Sequence, residues 1–136
     1  MRTLKYTKGY KYQVDELHSV LTPVKGVVIG DEFFTLHATG LLVIRRGFTW
    51  DGASGPTFDT KNSMRASLVH DVFCICMRDG RLPHEVWAET VHAFFKEMCI
   101  ADGMCGWRAH LWYLAVKAAD AGNPAQGPDR QQLEAP

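Results

Sequence analysis

The sequence predicts an α+β fold, a small antiparallel β-sheet in the N-terminal half followed by three helices packed around a buried central helix. Two observations carry this. Up to about residue 45, β-branched and aromatic residues fall in short runs separated by Gly, Asp and Thr turn signals. From about residue 63 onward, apolar residues recur at helical spacing in three long stretches.

In the first half, Tyr10-Lys11-Tyr12-Gln13-Val14 alternates and Val24 to Ile29 is β-branched and apolar. Phe33-Phe34-Thr35-Leu36-His37 and Leu41-Leu42-Val43-Ile44-Arg45 follow, punctuated by Gly30-Asp31 and Thr39-Gly40. Connections this short imply antiparallel neighbours, a meander or small curled sheet. His18 and His37 fall in or beside it and read as surface or cross-strand residues.

The first helix is expected from about Ser63 to Met77, capped by Asn62 or Ser63 and ended by Arg78-Asp79-Gly80. Met64, Leu68, Val69, Val72, Phe73, Ile75 and Cys76 make it apolar nearly all round, as a central helix requires. The second starts near Pro83, a residue suited to a first helical turn. Trp87, Val91, Phe94, Phe95 and Met98 share one face, while Glu85, Glu89, His92 and Lys96 share another. The third runs from about Gly106 to Ala121, with Trp107, His110, Leu111, Leu114, Val116 and Ala118 as packing positions. Trp107, Trp112 and Tyr113 read as core or interface aromatics. Residues 1–122 therefore read as a single domain. Residues 123–136 form a tail rich in Pro, Gly and Gln, a composition that builds no core and is expected to dock on a neighbouring subunit.

With 136 residues the chain is long enough for one core, and its 46% apolar and 22% charged residues are those of an ordinary globular protein. Its 15 basic and 15 acidic residues balance. That argues against a general nucleic-acid binder or a polybasic membrane surface. The first residues, Met1 to Lys8, lack the apolar core of a signal peptide, and no run reaches the ~18 apolar residues of a membrane span. Synthesis in the cytosol is expected, so Cys74, Cys76, Cys99 and Cys105 should be reduced. His70 and Cys74, four apart, could share a metal, but no second pair follows at zinc-site spacing. Buried small thiols are the expectation.

One stretch stands apart from this scaffold. Phe48-Thr49-Trp50-Asp51-Gly52-Ala53-Ser54-Gly55-Pro56 is a glycine-rich turn carrying a carboxylate, and the helix after it is interrupted by His70-Asp71. Charged residues sit inside apolar helices when they are paired, bind a metal or do chemistry. A histidine takes a proton near neutral pH, and its neighbour points about 100° away around the helix. One can face a substrate while the other holds a cation. The loop carbonyls of Gly52, Ala53 and Gly55, with Asp71, are the hard oxygen donors that calcium prefers. Glu89 is placed to orient His70 through its other ring nitrogen. In the competing reading, His70 and Asp71 are internally satisfied groups pinning the strand-loop to the central helix. Asp51 then caps a turn, with Ser54 and Pro56 part of that loop, and Glu89 and His92 lie on a solvated face.

Two resemblances attach to these residues. Phe48-x-Trp50-Asp51-Gly52-Ala53-Ser54-x-Pro56, then Ala66-x-Leu68-Val69-His70-Asp71, then Arg81 and Ala88-Glu89, resembles a family of phage and prophage proteins catalogued as a domain of unknown function. That family shows a "TDGAS-x-P" loop, a "HD-x-LY" helix and an "AD" pair in the next helix, and the resemblance spans roughly residues 1–120. It implies phage or prophage origin. More loosely, the loop and helix are similar to secreted calcium-dependent phospholipases. That resemblance implies His70 as general base, Asp71 as calcium carboxylate, Gly52, Ala53 and Gly55 as loop ligands and Glu89 as the histidine's partner. Cys74 stands where those enzymes have tyrosine, and Glu89 where they have aspartate.

Two functions are thus expected. The first is a phage-encoded accessory or virion structural protein, tail- or capsid-associated, contacting other phage subunits or further copies of itself. It would be made in the host cytoplasm and carried in the virion. The alternative is a calcium-dependent hydrolase of ester bonds in lipid or cell envelope, with His70 activating water.

Overall fold

The computed structural model describes residues 4, 6–8, 12–50 and 61–126. The loop residues Asp51, Gly52, Ala53, Ser54, Gly55 and Pro56 lie outside the described residues, as do 127–136 of the tail. Two small antiparallel sheets in the N-terminal half are followed by three helices, an α+β arrangement. The chain divides into two compact units, residues 1–52 and residues 53–136.

In the first unit the strands are β1 (Tyr6–Lys8), β2 (Tyr12–Val14), β3 (His18–Leu21), β4 (Ile29–Gly30), β5 (Phe34–Leu36), β6 (Leu41–Ile44) and β7 (Thr49–Trp50). Where the sequence suggested one sheet, there are two, ordered β1-β2-β7 and β3-β6-β5-β4. The first is closed by Tyr12 opposite Trp50, whose rings lie 5.5 Å apart, and Gly47 and Phe48 continue its ladder onto Val14. In the second, His18 faces Ile44 and Val20 faces Leu42, while Phe34 and Leu36 pair with Ile44 and Leu42 from the other side. Alternation sends Val20, Phe34, Leu36, Leu42 and Ile44 to the interior. His18 goes with them, so it is a core residue, whereas His37 is exposed.

Of the expected strand Val24–Ile29, only Ile29 is extended in a ladder. Pro23 lacks an N–H, and Gly26 adopts φ +80° with its amide donating to the Ala38 carbonyl. The run is therefore a bent connection, despite its β-branched composition.

In the second unit the helices are α1 (Met64–Arg78), α2 (His84–Ala101) and α3 (Gly106–Ala119); α1 and α3 match the expected bounds to within two residues at each end, and α2 starts one residue after Pro83. Every α1 residue except Asp71 and Arg78 is buried. α2 packs on both α1 and α3, and a short 3-10 turn at Pro124–Gln126 returns to α1. Arg65 anchors the first turn of α1 to the end of α2. Its guanidinium donates from Nε and one Nη to the two carboxylate oxygens of Asp102, at 3.0 and 2.9 Å. Such two-pronged pairing fixes orientation as well as distance. The second turn of this kind of closure is Gly122. A side chain there would meet the Met77 methyl at 2.6 Å and the Cys74 Cα at 3.2 Å, so a larger residue would have to move the Met77 side chain and press on the α1 backbone.

On α3 the inward face is not the expected one. Of the six anticipated packing positions only Val116 is buried, joined by Ala109. Trp107, Leu111 and Leu114 point outward, 70%, 48% and 46% exposed. The helix is apolar on every side, so periodicity alone could not tell its two faces apart. Among the described residues no helix is long and apolar enough to cross a membrane.

Candidate functional site

His70 sits near the middle of α1 and is 4% exposed. One turn later, Cys74 places its Sγ 3.5 Å from the ring's Nδ1. From α2, His92 brings its Nδ1 to 2.9 Å from His70 Nε2, and Phe95 lies edge-on to the His70 ring. His92, itself 3% exposed, turns its Nε2 toward Asp120 Oδ1 at 3.7 Å. His84, at the start of α2, donates from Nε2 to the same oxygen at 2.8 Å, and Asn123 Nδ2 donates to the other at 3.1 Å. Asp120 ends α3 in the left-handed conformation, φ 44°, which swings its carboxylate back over α2.

Physical chemistry orders the protons along this chain. Burial, and next the charge of Asp71, push the Cys74 thiol well above its ordinary value, so it remains S–H and donates. His70 Nδ1 then accepts, which leaves the proton on Nε2, and Nε2–H donates to His92 Nδ1. The His92 proton is fixed on Nε2, facing the Asp120 carboxylate. Both imidazoles are neutral. Burial first, and the adjoining His92 second, lower the His70 pKa to about 3. Burial likewise lowers His92, against the opposing pull of Asp120 and Glu89. Burial tends to raise Asp120, but the hydrogen bond and charge of His84 outweigh it and hold the carboxyl below its usual range.

Glu89 lies elsewhere. Its carboxylate accepts from the Tyr113 hydroxyl at 2.5 Å and pairs with Lys117 at 3.2 Å, an exposed cluster between α2 and α3. The Tyr113 hydrogen bond is the main reason its pKa is lowered. The structure thus brings His92, not Glu89, to the His70 ring, and His92 is buried where the helix pattern suggested a solvated face. Asp71 is half-buried and is not a free carboxylate. The loop donors Gly52, Ala53 and Gly55 lie outside the described residues. Among the described residues, no group of three or more His, Cys, Asp or Glu converges as a metal site would. Cys74, Cys76 and Cys99 are buried thiols and Cys105 is exposed.

An open pocket of about 350 Å³ lies outside the buried chain, lined by His84, Glu85, Ala88, Glu89, His92, Lys117 and Asp120. His70 does not line it. A general base needs an uncommitted nitrogen within reach of a water proton. His70 has none, since Cys74 and His92 take both. Its neighbours His84 and Asp120 escaped the sequence reading because nothing local links residue 84 to residue 120. The left-handed cap that joins them is visible only in three dimensions.

The chain belongs to the family described as protein of unknown function (DUF1353), whose model matches residues 29–116. That range runs from β4 into the last turn of α3 and includes His70, Asp71 and Glu89. No curated protein and no solved structure matches the chain.

Proposed function

We propose that this chain is an accessory or virion structural subunit of a phage or prophage particle, acting by contact with other proteins rather than by turnover. The observation that carries this is the outward ridge of α3. Trp107, Leu111 and Leu114, spaced by four and three residues, share one helical face and stand exposed. Scattered apolar residues on a surface are ordinary, but a tryptophan and two leucines in one stripe mark a contact surface. Phage origin rests on the loop and His-Asp motifs.

The engagement of both His70 ring nitrogens, by Cys74 and by His92, favours the same reading. A buried polar chain whose members satisfy one another rigidifies a core. The alternative, calcium-dependent ester hydrolysis, requires His70 to accept a proton from water, and its ring nitrogens are engaged.

The test is incorporation. Particles made with Leu111→Asp should carry far less of the protein than those made with the wild type, while the purified wild type should show no calcium-dependent turnover of phospholipid or ester substrates. Turnover that needs calcium and vanishes in a folded His70→Gln variant would establish the hydrolase instead.

A further inference from the structure

The contact between His70 and His92 holds one hydrogen between two buried ring nitrogens, His70 Nε2 and His92 Nδ1, 2.9 Å apart. On one side the Cys74 sulfur closes His70 Nδ1 at 3.5 Å, and on the other Asp120 Oδ1 faces His92 Nε2 at 3.7 Å. A thiol donates or accepts, and a neutral imidazole donates at one nitrogen and accepts at the other, but an imidazolium only donates. The geometry is therefore compatible with either direction of the hydrogen bonds. The number of protons the row holds decides between them.

His92 is where an added proton is held best, because it lines the open pocket and His70 does not. From α1 it meets His70, with Cys74 behind; from α3, Lys117 and the cap residue Asp120; from its own helix, His84, Glu85 and Glu89. Carboxylates outnumber ammonium groups among these, and Lys117 is already paired with Glu89. Burial, and after it Asp71, keeps the Cys74 hydrogen in place against the pull of Arg78. We infer that this row is a proton switch, in which uptake of one proton by His92 reverses every hydrogen bond between His92 and Cys74. His92 then donates from Nδ1 to His70 Nε2 and from Nε2 to Asp120. His70 stays neutral but carries its hydrogen on Nδ1 and donates it to the Cys74 sulfur, whose own hydrogen turns aside. One proton is gained, none is lost, and each side chain keeps its neighbours. Sulfur accepts more weakly than a ring nitrogen, so the reversal loosens α1 from α2. The new charge on His92 meanwhile strengthens the hold of α2 on the Asp120 cap. Acid thus shifts the grip of α2 from α1 toward the end of α3. This goes beyond the contact reading and does not depend on it.

Long-range 1H–15N correlation spectra of the full chain from pH 8 to pH 5, with circular dichroism alongside, test this. At pH 8 both rings should carry their hydrogen on Nε2. As pH falls, His92 should become protonated at both nitrogens, and His70, still neutral, should move its hydrogen to Nδ1 with the same midpoint. Asparagine tolerates the left-handed cap, so Asp120→Asn should fold and lower that midpoint by roughly one pH unit. Three results would overturn the inference: His70 keeping its hydrogen on Nε2 throughout the His92 titration, His92 staying neutral until the chain unfolds, or Asp120→Asn leaving the midpoint unchanged. Incorporation into particles is indifferent to all three, so the contact reading is judged separately.

Discussion

Single side chains decide what His70 can do. The direction of its protons follows from a neighbour four residues away, a thiol too deeply buried to ionise, and the chain then runs through His92 to Asp120. Replacing His70 by Ala strands the Cys74 S–H and the His92 ring and leaves a void. The expected cost is roughly 2–4 kcal/mol in urea unfolding. Glu89→Ala, which removes an exposed ion pair with Lys117 and an exposed hydrogen bond from Tyr113, should cost less than about 1 kcal/mol. The two imidazoles also set a pH dependence. In the unfolded chain each takes a proton near its ordinary value of about 6.5. In the native state His70 holds off until about 3 and His92 is also lowered. Their contribution is therefore complete above pH ~6.5 and is lost as pH falls, at about 1.4 kcal/mol per unit for each group still neutral in the native state. Urea midpoints measured from pH 7.5 down to pH 4.5 should decline, and His70→Gln should flatten the slope. That His70 belonged to a special cluster was legible from its place in an apolar helix. Its partner was not, because Glu89 and His92 lie within one turn of each other and either satisfies the same spacing rule.

At the level of elements, the helices were legible and the sheets only partly so. α1 announces itself by apolar residues on all sides and by the Arg78-Asp79-Gly80 stop, and α2 by Pro83. Those signals are local. The sheets depend on pairings between distant short strands: β1, β3 and β7 are too short or too mixed in composition to show a period, and Gly26 breaks a run that composition calls a strand. The faces of α3 were inverted for a related reason, since a helix apolar all round gives periodicity nothing to resolve. Two element contacts carry the second unit together, the Arg65–Asp102 clamp and the return of the chain at Gly122. Gly122→Ala should force the close approach to Met77 and Cys74 apart, at a cost of about 1–3 kcal/mol in the same unfolding assay. Asp102→Ala leaves the buried Arg65 cation without its carboxylate and should cost about 3 kcal/mol.

The second unit combines a buried polar cluster around His70 with an apolar ridge on α3 turned outward. Net charge near zero fits a subunit that meets other proteins, because neither sign repels a partner broadly. The chain matches its family over residues 29–116, and the structure adds an exposed surface: Trp107, Leu111 and Leu114 read in the sequence as packing positions, Trp107 as a core or interface aromatic, and all three stand outward. Core and surface should therefore respond separately, with stability tracking His70 and assembly tracking α3. The most direct measurement is the amount of this protein in purified particles bearing Leu111→Asp, set beside particles bearing His70→Gln, both variants confirmed folded. The expected result is loss of incorporation for Leu111→Asp and retention for His70→Gln. Normal incorporation of Leu111→Asp would contradict the account.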